Sequence, residues 1–232
     1  MKLRVKYSKM ESARFLSHLE LMKAMERAFR RARIPLAFSE GFNPHPKISY
    51  ASALSVGTAS RGEYLDIELG TRVDLIAFKN QVNNNLIKGV EVLDVKEIKD
   101  KVKSLTAIIE RAEYTAICQV EKKLTVGELQ QLIEDFLGQP EILVNRKSKD
   151  KTKEINIKEG IYHLGAEFND MNLVINYIVA SGSKGNVRAG EVYHAIITFS
   201  KIKTQGTPTL IREDLYAIKN GSLCTPMGIL EG

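Results

Sequence analysis

The 232-residue chain has no tryptophan, two cysteines, six prolines and four histidines. Each shortage excludes something. With no Trp and 7% aromatics, a broad stacking platform is not expected. Cys118 and Cys224 stand outside any CxxC pair, which argues against a disulfide framework and a cysteine-ligated zinc or iron–sulfur site. No cofactor is expected. The opening MKLRVKYSK lacks the apolar core of a signal peptide, and no apolar run approaches the roughly 20 residues of a bilayer span. The expectation is a cytoplasmic protein with no membrane contact. No GxxxxGK[ST], GxGxxG or HExxH motif occurs. Gly182–Gly190 (GSKGNVRAG) therefore reads as a turn before the last helix. His163 and His194 lie in strand-like and helical apolar settings and read as ordinary, partly buried residues.

What is present is charge gathered in one place. Residues 1–50 carry eleven Lys/Arg and four Glu, a net of +7, while the whole chain carries +6. A positive field in about a fifth of the chain points to a polyanionic partner, and RNA is the expected one. Within that stretch, Leu21, Met25, Ala28, Phe29 and Ala32 form one apolar helical stripe. Lys23, Arg27, Arg30 and Arg31 fall on the opposite face, and Arg33 extends the row. Arginine forks match phosphates, and each neutralised phosphate releases counterions. The alternative is a solvated helix face with Glu20 and Glu26 as intrahelical partners.

The segment Gly41-Phe42-Asn43-Pro44-His45-Pro46-Lys47 follows. Two X-Pro steps force extended backbone, and Gly41 permits an unusual turn. Such a loop presents Asn43, His45 and Lys47 rigidly. Asn reads a base edge; His stacks, hydrogen-bonds or carries a proton. The plainer alternative is a connection between two strands, with Phe42 packed beneath it. Arg14 and His18 open the preceding helix. If His18 and His45 converge, the pair would suit general acid–base cleavage of RNA without a metal. The candidate nucleic-acid-binding set is thus Arg14, His18, Lys23, Arg27, Arg30, Arg31, Asn43, His45 and Lys47, with His18 and His45 as the alternative catalytic pair.

Periodicity gives an α+β chain of tandem ferredoxin-like units, β-α-β-β-α-β repeated, with antiparallel sheets backed by helices. The first unit is expected over residues 1–100 and the second over 105–232, divided by the lysine-rich piece Lys99–Ser104. Helices are read at about 18–33, 73–88, 125–138 and 189–199. Ser17 or Ser12 caps the first, and Thr125 with Glu128 forms a capping box. Arg146–Lys158, with six basic and two acidic residues, reads as a solvated hairpin tip.

The stretch RFLSHLELMKAMERAFRRARIPLAFSEGFNPHPKISYASALSVG, followed by GEYLDIEL, resembles the signature of the radical-SAM-linked proteins. These are uncharacterised bacterial proteins, separate or fused behind a radical S-adenosylmethionine enzyme. KEINIKEGI and NVRAGEVYHAI resemble weaker later motifs, with Ala189 where the family pattern has proline. The resemblance implies a radical S-adenosylmethionine enzyme as partner, which would hold the cluster this chain does not ligate. The tandem unit order is also similar to that of CRISPR RNA-processing endoribonucleases, an analogy of fold only. Three readings stand: an RNA-binding or substrate-presenting accessory protein, a metal-independent endoribonuclease, and a protein–protein adaptor whose basic helix docks an acidic surface.

Overall fold

The computed structural model describes residues 1–99, 102–148, 151–182 and 185–231. Parts of three segments read from the sequence lie outside the described residues: 100–101 of the lysine-rich boundary, 149–150 of the basic hairpin and 183–184 of the glycine-rich turn. Among the described residues the fold is mixed α/β, with five α-helices and mainly antiparallel strands. It forms two compact units. The first comprises Met1–Glu110 and Glu213–Gly232, the second Arg111–Arg212. No helix among the described residues is long and apolar enough to cross a membrane.

In the first unit, β1 (Lys2–Lys9) pairs antiparallel with β3 (Ala59–Glu68) and with β4 (Val90–Glu97). β2 (Ile48–Tyr50) pairs with the other edge of β3, so the order is β4-β1-β3-β2. Helices α1 (His18–Arg31) and α2 (Leu75–Asn83) make the connections. Leu3 and Val5 of β1, Leu65 and Ile67 of β3, Leu21, Met25 and Phe29 of α1, and Phe78 and Val82 of α2 share one buried core. Apolar residues every three to four positions set the buried face of α1 and leave its other face to water.

α1 starts where its sequence predicts. The Ser17 hydroxyl accepts from the Glu20 N–H, and the Glu20 carboxylate accepts from the Ser17 N–H, a capping box. The helix closes at Arg31, with Arg33 in the left-handed region at φ 53°. α2 is shorter than periodicity suggests. Asp74 caps its start, but the helix stops at Asn83, whose side-chain amide bonds both the N–H and the carbonyl of Val92 on β4. That bridge anchors the helix end five residues before the expected end at residue 88. Gly89 serves the fold differently: it sits at φ +87°, and a Cβ there would lie 2.5 Å from the Met10 carbonyl oxygen. A four-residue helix, α3 (Leu105–Ile108), closes this stretch.

The second unit contains β5 (Ile109–Val120), α4 (Val126–Gly138), the hairpin β6 (Leu143–Ser148) and β7 (Lys151–Asn156), then β8 (Ile161–Asn169), β9 (Asn172–Ala180), α5 (Ala189–Ser200) and β10 (Thr204–Lys219). Its strand order is β10-β5-β9-β8, and β6-β7 forms a separate two-stranded sheet. Thr125 and Glu128 make the capping box of α4. The end of β10 and a short β11 (Ser222–Cys224) lie in the first unit. Chemistry holds them there. Glu213 accepts from Arg61, Asp214 accepts from Lys6 and Tyr64, and the Pro226 carbonyl accepts from Arg4.

Candidate nucleic-acid interface

The site is built on α1 and on the hairpin that follows it. Lys23, Arg27 and Arg30 recur at i, i+4 and i+7 on the exposed face. With Glu26 they line a shallow groove of about 260 Å³. The Glu26 carboxylate accepts from Arg30 Nη2 at 2.6 Å, leaving the groove a net charge of +2. Arg31 donates to the Asn85 carbonyl and stays exposed, and Arg33 is exposed beyond it. Glu20 is held mainly by the helix cap, with Lys23 a lesser partner. Hydrogen bonds from the Ser17 hydroxyl and N–H hold its carboxyl below the usual range.

At the start of α1, Arg14 lies half-buried with its guanidinium 4.8 Å from the Phe15 ring. Its Nε is buried without a hydrogen-bond partner, and its carbonyl accepts from the Gly57 N–H at 2.9 Å. His18 sets its ring edge-on to Tyr50, with centroids 5.6 Å apart. Burial, together with the Glu26 charge, pushes the Tyr50 hydroxyl well above its ordinary range.

Residues 36–47 form a pinned hairpin. The Ser39 N–H donates to the His45 carbonyl at 2.8 Å, the His45 N–H donates to Ser39 Oγ at 3.0 Å, and the Lys47 N–H donates to the Ala37 carbonyl at 2.9 Å. Phe38 bridges Pro46. The Ala37 N–H donates to the Glu68 carbonyl, and the Glu68 N–H donates to the Lys47 carbonyl, which fastens the base to β3. Gly41 makes the turn at φ +111°. Asn43, His45 and Lys47 are exposed, with Lys47 Nζ 3.7 Å from Glu68.

His18 and His45 have separate surroundings: the first ring meets Tyr50, whereas the second residue is held through its backbone to Ser39. No hydrogen bond or ring contact joins them. Phe42 is not packed beneath the loop. It is fully exposed at 107%, because the hairpin closes below it and leaves no surface for it to cover. No sequence period marks a single aromatic at a turn as exposed. His163 and His194 are exposed as well, on the outward positions of β8 and α5. Among the described residues, no three His, Cys, Asp or Glu side chains gather as a metal site requires.

A family model described as an uncharacterised protein conserved in bacteria (DUF2344) matches residues 2–189. No curated protein sequence matches the chain. Among solved structures, a chain of a Cbf5-Nop10-Gar1 complex is similar with a TM-score of 0.52 and 11% identity, over 92% of this chain and 48% of that one. A chain of an H/ACA RNP bound to a substrate RNA containing 2'-deoxyuridine gives 0.46 and 10%, over 90% and 46%. A chain of an archaeal box H/ACA sRNP Nop10-Cbf5 complex gives 0.45 and 9%, over 90% and 46%. The chain spans about half the length of these solved chains. At such identity the first likeness speaks to fold alone.

Proposed function

Because the chain belongs to this DUF2344 family of uncharacterised bacterial proteins, whose description names no activity, we propose its function from the site itself. It binds RNA through the basic face of α1 and presents it, without cutting it, to a radical S-adenosylmethionine enzyme in the cytoplasm. The observation that carries the reading is the exposed row Lys23, Arg27 and Arg30 lining one groove, with Arg31 and Arg33 beside it. Three to five cations at helical spacing suit successive phosphates. The partner enzyme rests on the resemblance of residues 14–57 to the radical-SAM-linked signature. The two units are read as ferredoxin-like, since each places its first strand between its third and fourth. The non-catalytic reading is preferred to the endoribonuclease because the exposed cation row accounts for RNA binding by itself, whereas cleavage would further need His18 and His45 on either side of one phosphodiester.

The test is fluorescence anisotropy with a labelled mixed-sequence single-stranded RNA between about 50 and 200 mM salt. Affinity should fall steeply with salt, with a log–log slope of about −2 to −3.5 for three to five phosphate contacts on a single strand. Changing Lys23, Arg27 and Arg30 together to Glu should abolish binding and leave the thermal midpoint nearly unchanged, because exposed side chains anchor little packing. Salt-insensitive binding, or unchanged binding in the triple variant, removes this face from the function. Cleavage of the RNA by the purified chain overturns the non-catalytic reading.

A further inference from the structure

We infer that the tip of the 36–47 hairpin captures an unpaired base, with the Phe42 ring as its stacking surface and the Asn43 amide beside it to meet the base edge. The inference rests on the RNA-binding reading above and names the class of RNA: single-stranded or looped rather than continuous duplex.

Three observations carry it. First, Phe42 is exposed at 107%, so its ring has no intramolecular role to explain it. Second, the loop beneath it is not slack. Ser39–His45 and Ala37–Lys47 hydrogen bonds close the hairpin, and Ala37–Glu68 and Glu68–Lys47 bonds tie it to β3. Pro44 and Pro46 fix two further φ angles, and Gly41 at φ +111° turns the chain at the tip. A ring held out in water on a fixed support loses little freedom when it is covered, which favours binding. Third, its tip neighbours Glu40, Gly41 and Asn43 are exposed and polar or small, and besides Pro44 the other exposed large apolar side chain of the hairpin is Phe38, 43% exposed on the strand below the tip. A protein groove would need a contiguous apolar patch; a base needs one aromatic face and a polar group at its edge. The cations Lys47, at the hairpin base, and Arg33, three residues before the hairpin, would meet the flanking phosphates. Duplex RNA hides its base faces in the stack, so such a ring can engage only an unpaired one.

The probe is a single-stranded RNA of about 12 nucleotides carrying one 2-aminopurine, compared with the same strand annealed to its complement. Wild-type protein should change the 2-aminopurine emission in the single strand and bind it more tightly than the duplex. Phe42→Ala should weaken single-strand binding about five- to tenfold, remove the emission change and leave the weaker duplex binding as it was. Phe42→Tyr should restore the wild-type pattern. The salt slope should be the same in Phe42→Ala and wild type, since the ring meets no phosphate. An unchanged thermal midpoint shows that the fully exposed position is not structural. If wild type binds RNA and Phe42→Ala binds it equally, or loses single-strand and duplex affinity in equal proportion, the stacking role is overturned while the basic face stands. If wild type binds no RNA at about 50 mM salt, the basic-face reading itself falls, and stacking falls with it. Loss of a co-purifying protein in Phe42→Ala with RNA affinity intact overturns stacking in favour of a protein contact.

Discussion

Two basic stretches of the first unit carry similar charge and meet opposite fates. β1 holds Lys2, Arg4, Lys6 and Lys9; α1 and the turn after it hold Lys23, Arg27, Arg30, Arg31 and Arg33. On β1 three of the four cations are consumed inside the fold, and Lys2 stands partly exposed at the strand's start. Arg4 makes two hydrogen bonds to Asp66, at 2.8 and 3.0 Å, and one to the Pro226 carbonyl at 2.9 Å. Lys6 binds Asp214 at 2.7 Å, Lys9 donates to the Leu16 carbonyl at 2.7 Å, and Lys2 lies 4.0 Å from Glu68. On α1, the Lys23, Arg27 and Arg30 side chains reach water, with Glu26 opposing one of them. The cause is geometric. A central strand covered on both faces must partner its charges, since each ion taken from water costs several kcal/mol. An amphipathic helix always keeps one face free. A window's net charge therefore overstates its field wherever the window includes a central strand.

The sharpest way to break this comparison is to remove one cation from each stretch. Arg4 is fully buried, and Arg4→Ala leaves Asp66 as an uncompensated buried carboxylate. We expect a loss of about 3–5 kcal/mol in unfolding free energy, measured by denaturant titration. Arg27→Ala should stay within about 0.5 kcal/mol of wild type. A small effect at Arg4 would mean that the two stretches do not differ in kind. Pairing Arg4→Met with Asp66→Leu should recover much of the loss, because the penalty belongs to the orphaned charge and not to the missing side chain.

Asp214 offers a milder version. It accepts from Lys6 at 2.7 Å and from the Tyr64 hydroxyl at 2.6 Å. Burial, with the Asp214 charge beside it, pushes the Tyr64 hydroxyl far above its ordinary range, so it remains a donor at any working pH. Asp214→Ala should cost about 2–3 kcal/mol, less than Arg4→Ala, because Lys6 is partly exposed and can turn to water. Tyr64→Phe should cost about 1 kcal/mol alone and much less in the Asp214→Ala background. Full additivity in that cycle would separate the two groups.

These contrasts mark where the sequence was legible. Local signals were. Ser17 with Glu20 and Thr125 with Glu128 announce two helix starts, because a capping box spans only three residues. The basic face of α1 follows from helical period, and the exposure of Asn43 and His45 follows from a proline-stiffened loop. Long-range pairing was not legible. Arg4 meets Asp66 across 62 residues and Lys6 meets Asp214 across 208, and no spacing rule links such positions. Glu213–Gly232 meets the first unit through bonds of the same long range, Lys6–Asp214, Arg61–Glu213 and Arg4 to the Pro226 carbonyl. The exposure of Phe42 was not legible for another reason: an aromatic in a loop normally finds a surface, and only the structure shows this one exposed.

The smallest expected effect concerns why α1 stays so positive. Its first acid, Glu20, stands three residues before Lys23 and is a candidate counter-ion by spacing. In the structure Glu20 instead serves the Ser17 cap. Hydrogen bonds from Ser17 are the main cause of its lowered carboxyl pKa, and Lys23 is a lesser one. The sign follows directly. A carboxyl whose pKa is lower in the folded state stabilises above its unfolded pKa of about 4.3, and that stabilisation disappears as pH falls through the folded value. The unfolding free energy of wild type relative to Glu20→Gln should thus be level from about pH 7 to 5 and shrink below about pH 4. Ser17→Ala, which costs about 1 kcal/mol at neutral pH, should flatten most of this acid-range dependence, whereas Lys23→Gln should leave most of it in place. If the two variants flatten it equally, Glu20 is the counter-ion of Lys23, and the free positive face of α1 narrows to Arg27 and its C-terminal neighbours.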